Sequence, residues 1–260
     1  MAHAATFTEK DSTRFLLTWN SFGDKFASLR NVLDTPNGIY SKVNVICCQE
    51  FGSPISKPDY DGTDYAYKYI PFTRRTDGMH VFWHSWSKTH HAANVSDNLR
   101  CTIAVIRCGP EDDCPDCEVL ADEAQRPAIG INYGGTYIYS FHNNASGAAR
   151  DRGLSMIDWV EKNNKDRKWI IAGDWNCTPN QLTTAYKKRW DVAQTTTRRS
   201  MQTGADIPGD LFDYVVQSDR GTGDGGGRRL SHHIGQRQSA AVLASDHYPV
   251  LFQIYSTKGK

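Results

Sequence analysis

Five short apolar runs in this chain of 260 residues begin or end on a side chain able to do chemistry. Phe15-Leu16-Leu17-Thr18-Trp19 closes on Asn20, and Val43-Asn44-Val45-Ile46-Cys47-Cys48 closes on Gln49 and Glu50. Thr136–Phe141 closes on His142, and Trp169-Ile170-Ile171-Ala172 passes through Gly173 to Asp174 and Asn176. Asp246 and His247 precede the run Tyr248–Tyr255. Each run has the length and the β-branched or aromatic content of a strand. A single polar residue at a strand end is commonly just solvated. A set of them points to packed sheets whose strands deliver these side chains to one edge.

The stretch WIIAGDWNCTPN, from Trp169 to Asn180, shows the pattern most clearly. Strand side chains alternate between faces, so Asp174 and Asn176 share one direction and Trp175 takes the other. The plainer alternative is a strand followed by an Asx turn, with Pro179 as the stop. Upstream, Phe26, Leu29, Val32 and Leu33 recur at helical spacing over 25–33, so the chain opens as strand, helix, strand. Tyr65–Phe72 and Gly78–Trp86 read as two strands around a turn holding Arg74, Arg75 and Asp77. Further strands are expected over Cys101–Ile106, Ala128–Ile131 and Leu211–Val216. Arg150–Asn163 reads as a helix with Leu154, Ile157, Trp159 and Val160 on its core face. Leu182–Trp190 reads as a second, shorter helix.

Composition narrows the class. At 39% hydrophobic and 23% charged, with no Pro- or Ser-rich linker, the chain suits one large domain over residues 1–260. Seven Trp and twelve Tyr favour a strand-dominated core. Lys and Arg total 30 against 29 Asp and Glu, so bulk charge carries no nucleic-acid signal and any phosphate-binding surface is local. No apolar run reaches the roughly 18 residues of a membrane span, and MAHAATFTEK lacks the apolar core of a signal peptide. The expectation is a cytosolic chain or one whose leader is gone. Seven cysteines leave at least one thiol free. Cys108, Cys114 and Cys117 crowd the acidic loop CGPEDDCPDC, where one local disulfide is expected in preference to zinc. The pairs His90-His91 and His232-His233 read as solvated, since neighbouring side chains on a strand diverge. GTGDGGG, at 221–227, lacks the Lys-Ser/Thr ending of a phosphate loop.

The strand-end residues form a coherent chemical set. Glu50 with Asp174 or Asp246 can hold a hard cation through oxygen and leave room for water and substrate, which suits magnesium. His142 and His247 can act as acid and base in either role. Asn20 and Asn176 offer neutral donors to charge building on a phosphate. Asp213 falls mid-strand in an apolar segment, where a lone carboxylate is costly and a histidine partner would resolve it.

The segments LLTWN, CCQE, YSFH, GDWN, FDYVV and SDHYPV, in this order, resemble the signature of the endonuclease/exonuclease/phosphatase superfamily, to which DNase I belongs. Within it, the likeness is strongest to the catalytic B subunits of cytolethal distending toxins. RPAIGINYGGTYIYSFH, from Arg126 to His142, resembles their strand pair, and the whole likeness runs from about residue 14 to residue 254. The resemblance implies a four-layered α/β sandwich, with two β-sheets face to face and helices outside. It implies a magnesium-dependent DNA endonuclease, with manganese or calcium as substitutes, that nicks host DNA as a genotoxin subunit. Glu50 would bind the metal, with Asn20 and Asp246 close by. His247 would be the general base, oriented by Asp213, and His142 the acid on the leaving side. Asp174 and Asn176 would position the nucleophile and the scissile phosphate. Arg100 and Arg126 would contact phosphate, to which the planar guanidinium is suited. The same resemblance implies secretion, action in the target-cell nucleus and separate delivery or receptor-binding subunits. The acidic cysteine loop departs from the pattern and would repel DNA, so it is expected away from the site. A phosphatase acting on phosphatidylinositol phosphates is the alternative on the same scaffold, and a non-catalytic binding module is the third.

Overall fold

The computed structural model describes residues 13–21, 26–35, 39–52, 65–85, 102–120, 126–145, 147–183, 190–193, 212–218 and 250–255. Arg100, Asp246, His247, both histidine pairs and the glycine-rich run lie outside the described residues. One six-stranded sheet holds β1 (Thr13–Asn20), β2 (Val43–Gln49), β3 (Tyr65–Pro71), β4 (Gly78–Ser85), β5 (Thr102–Gly109) and β12 (Val250–Tyr255). Its spatial order is β12-β1-β2-β5-β4-β3. The other holds β6 (Cys117–Leu120), β7 (Ala128–Tyr133), β8 (Thr136–His142), β9 (Lys168–Asp174), β10 (Trp190–Ala193) and β11 (Asp213–Ser218), in the order β10-β11-β9-β8-β7-β6. The described helices are α1 (Phe26–Leu33), α2 (Ala149–Asn163) and the short α3 (Pro179–Thr183), with a 3-10 turn at Ile39–Lys42. Each sheet has one parallel pair, β1 with β2 and β8 with β9, among antiparallel neighbours.

The central strands are apolar on both faces because both faces are covered. Leu16, Val45, Val105, Ile138, Ile170 and Val215 interdigitate between the sheets. The alternate residues Leu17, Trp19 and Ile46 turn outward and pack with Leu29 and Leu33 of α1. On the far side Tyr139, Phe141, Ile171 and Tyr214 turn outward onto Met156, Ile157 and Val160 of α2. The order helix, sheet, sheet, helix is the expected four-layered α/β sandwich.

Several local expectations are corrected. The buried stripe of α2 is Gly153, Met156, Ile157 and Val160, at the i, i+3, i+4, i+7 spacing of a helix face, while Leu154 and Trp159 sit at its margin. The stripe rotates toward Gly153 because Leu182 and Trp175 pack there; a methyl on Gly153 would lie 3.3 Å from Leu182. The helix expected over Leu182–Trp190 instead starts at Pro179, and Trp190 opens β10 beside Ser218. Pro is favoured at the first helical position, and Gln181 Oε1 accepts the Thr178 amide proton at 2.7 Å, which is half of a capping box. Pairing with β11 overrides the helical spacing at Trp190. Asp213 opens β11 rather than lying mid-strand.

No disulfide joins Cys108, Cys114 and Cys117 to one another. Cys108 turns outward beneath the first sheet, Cys117 packs toward the inter-sheet layer, and Cys114 is exposed. The expected disulfide therefore has no shared face on which to form. β5 starts at the edge where β1 and β2 end and runs away from it, so the acidic loop after Gly109 lies at the opposite edge, as expected. Arg107 ties that loop down through the carboxylate and carbonyl of Asp113. Burial pushes the Cys108 thiol up to about 12, and raises those of Cys47 and Cys48 as well. Alkylation of the native protein near neutral pH, read by peptide mass spectrometry, is expected to label Cys114 and to spare Cys47, Cys48 and Cys108 until unfolding. Native labelling of Cys47, or recovery of a Cys108–Cys117 bridge, would contradict this packing.

Candidate active site

Strand phase decides which side chains meet. In β1, Leu16 and Thr18 alternate with outward Leu17 and Trp19, which leaves Asn20 on the inter-sheet face. By the same count His142 follows Ile138 in β8, Asp174 follows Ala172 in β9, and Asp213 precedes Val215 in β11. The two parallel pairs bring their C-terminal ends to one edge, with His142 opposite Asp174 and Asn20 opposite Gln49. The antiparallel β11 starts at that edge, with Asp213 opposite Asp174. Asn20, His142, Asp174 and Asp213 are all buried there.

Glu50 comes one residue after inward-facing Gln49, so extended geometry would send it outward. Its backbone instead takes φ 49, the left-handed region. That turn brings Glu50 Oε1 to 3.7 Å from His142 Nε2, across the gap between the sheets. The only other non-glycine residue with positive φ among the described residues is Asn176, at φ 48. Unusual backbone of this kind persists where its surroundings hold it. At Glu50 the holders are Thr102 O, which accepts the Glu50 amide at 2.9 Å, and Ser21 Oγ, which donates to Glu50 O at 2.9 Å.

Asp174 is the centre of the arrangement. Its Oδ2 accepts from Asn20 Nδ2 at 3.1 Å and lies 3.7 Å from His142 Nε2. Its Oδ1 accepts the Asn176 amide at 3.0 Å, which is an Asx turn. The Asx-turn reading of GDWN therefore holds: the strand ends at Asp174, and the turn, not strand alternation, sets the direction of Asn176. His142 Nε2 thus faces two carboxylates, Glu50 and Asp174.

Arg126 is half-buried just before β7, and its Nη1 donates to Asn143 O at 3.1 Å. Asn176 Nδ2 donates to the same carbonyl at 2.8 Å. Asn143 was not singled out from the sequence, yet it organises this corner. Its Nδ2 donates to Ala149 O and Trp175 O, and its amide donates to Asp174 O. Its place directly after His142 was the available signal. His84 was missed too; it reaches the same edge through its register with Ile103. Below, Trp175 stacks on Tyr214, and burial holds the Tyr214 hydroxyl well above its ordinary range.

The structure thus brings together Asn20, Glu50, His142, Asp174, Asn176 and Asp213, with Arg126 beside them. Among the described residues no group of three or more His, Cys, Asp and Glu side chains forms a metal-ligating cluster. The donor set is nonetheless oxygen-rich, with Glu50 and Asp174 flanking one ring. Magnesium is commonly held by one or two carboxylates with waters and substrate phosphate completing its shell, so these residues fit it.

No family model and no curated protein matches the sequence. Solved structures do. Cytolethal distending toxin from Actinobacillus actinomycetemcomitans aligns at 18% identity and TM-score 0.63, covering 93% of this chain and 97% of that one. An endonuclease/exonuclease/phosphatase from Bacteroides vulgatus aligns at 14% identity and TM-score 0.58, covering 95% and 100%. D. rerio TDP2, solved with a single-strand DNA product, aligns at 12% identity and TM-score 0.57, covering 95% and 100%. The chain has the endonuclease/exonuclease/phosphatase fold.

Within this fold, Gly173 is what lets β8 and β9 close up beside the site. A Cβ on Gly173 would collide with the Phe141 carbonyl, its carbon lying 2.8 Å away. Gly173→Ala is expected to destabilise the protein by about 3 kcal/mol, the upper range for overpacking, as read from denaturant unfolding. A variant within 0.5 kcal/mol of wild type, the ordinary scatter of surface changes, would refute the close approach.

Proposed function

We propose that this protein is a magnesium-dependent phosphodiesterase that cleaves DNA endonucleolytically. The observation that carries the proposal is the convergence of Glu50, from one sheet, with His142 and Asp174, from the other, within 3.7 Å. Support comes also from the shared fold with a distending toxin and with a TDP2 that was solved with DNA product.

In this reading Glu50 would hold magnesium, a role in which the resemblance joins Asn20 and Asp246 to it; when bound, the ion would neutralise phosphate charge. His142, with Nε2 between two carboxylates, is assigned the role of acid that gives a proton to the leaving oxygen. Asn176, aimed by its Asx turn, and Arg126, anchored on Asn143 O, offer N–H donors to the phosphate. Asp174 keeps Asn20, His142 and Asn176 in mutual register. His247, oriented by Asp213, is assigned the role of general base, and Arg100 a second phosphate contact. The likeness to the toxin extends the proposal to a secreted genotoxin subunit carried by separate delivery subunits.

Purified protein is expected to nick supercoiled plasmid with magnesium, and to stop when a chelator is added. His142→Ala and His247→Ala should each lower the rate about 100-fold or more, the usual contribution of general acid–base catalysis. Undiminished nicking in both variants would overturn the assignment. Phosphate release from phosphatidylinositol phosphates without nicking would select the phosphatase alternative.

A further inference from the structure

We propose that Gln49 and Ser140 form a clasp between the two sheets that positions Glu50 against His142. The clasp rests on the phosphodiesterase reading, and it concerns two residues that reading does not use. Gln49 ends β2, Ser140 lies in β8, and both are fully buried. Gln49 Nε2 donates to Ser140 Oγ at 3.1 Å, and Ser140 Oγ donates back to Cys48 O at 3.0 Å. The chain of bonds thus crosses the inter-sheet layer and returns to the strand it left. One step deeper, Cys47 Sγ approaches Tyr139 O at 3.5 Å.

Most of that layer is apolar, with Thr18 buried in it and Asn20 bonding Asp174 across its rim. Apolar contact is non-directional, so it holds the sheets together without fixing how one slides over the other. A buried hydrogen-bonded pair does fix that. The location matters as well. Glu50 is the residue after Gln49, and His142 lies two positions beyond Ser140 on the same face of β8. The Gln49 carbonyl also accepts the Ser21 amide at 2.8 Å, which ties in the end of β1 and Asn20. A slip of one sheet would therefore move Glu50 and Asn20 together relative to His142 and Asp174.

Stability alone does not account for this pair. Gln49 Oε1 is buried without a hydrogen-bond partner among the described residues. An unmet buried acceptor is a cost, and exchanging both members for apolar groups of similar shape is near neutral. Gln49 and Ser140 are thus positioning residues, acting through Glu50 and His142.

The test uses the full chain with Gln49→Met, Ser140→Ala, the double substitution and the conservative Ser140→Thr. Plasmid nicking, magnesium titration by calorimetry and thermal unfolding are measured for each. The double variant is expected to unfold no earlier than wild type. Its kcat should fall about 10- to 100-fold, as expected for a sub-ångström to 1 Å misplacement of reacting groups. KM for plasmid should change little, magnesium binding should weaken, and the two single losses should not add. Ser140→Thr, which keeps the hydroxyl, should retain most of the rate. Folded variants with wild-type kcat and magnesium affinity would overturn the clasp and leave the phosphodiesterase reading standing. So would a lowered unfolding temperature with kcat per folded molecule unchanged. Absence of nicking and of magnesium binding in the wild type would overturn the reading itself, and the clasp with it.

Discussion

Three carboxylates, Glu50, Asp174 and Asp213, are buried where the inter-sheet apolar layer ends. Charge removed from water is tolerated only when it is paired, hydrogen-bonded or matched by a cation. That requirement organises the whole edge. His142 stands between two of the carboxylates, Asn20 reaches across from the other sheet to Asp174, and the chain after Asp174 turns so that Asn176 can donate its amide. A histidine placed to answer a desolvated charge is also a histidine placed to move a proton. In the proposed reading, the same geometry that makes the sandwich edge tolerable also serves the chemistry.

Much of this edge was legible because β-structure has a period of two. Once Leu16, Ile138, Ala172 and Val215 are read as inward, the phase of Asn20, His142, Asp174 and Asp213 follows without knowledge of any long-range contact. Glu50 is the instructive exception. Its phase is wrong for the site, and only a left-handed residue corrects it, held by Thr102 and Ser21 from elsewhere in the sheet. Backbone conformation imposed by distant partners leaves no local trace in the sequence. Asn143 escaped for a related reason: its work is done by main-chain and amide groups bonded to Ala149 and Trp175.

The helices show where side-chain size misleads. Weighting large apolar residues favoured Leu154 and Trp159 for the buried face of α2, whereas the helix packs on Gly153 and Met156. Close approach, not bulk, sets that face, because Trp175 and Leu182 already occupy the space. The cysteine loop misled in another way. Proximity in sequence suggested a bridge, but Cys108 and Cys117 belong to strands that present them to different layers. Sequence neighbours separated by a strand end need not share a side of a sheet.

A division of labour follows from the direction of β5. Its first residue, Thr102, steadies the backbone at Glu50, and its last turns carry Arg107 and the acidic loop at the far end. His80 joins that far end, where burial lowers its proton affinity and the Pro110 carbonyl and Tyr67 hydroxyl occupy its ring nitrogens. At that end Arg107 pairs with Asp113 and both His80 ring nitrogens are engaged, while Glu111, Asp112 and Asp116 are exposed to solvent. At the other end the polar groups are aimed inward from two separate sheets. An apolar sandwich cannot by itself distinguish its two ends, since its contacts are much the same throughout. The distinction lies in where strands stop: parallel pairs that end together leave several side chains facing one gap, and there a polar residue on each strand becomes a site.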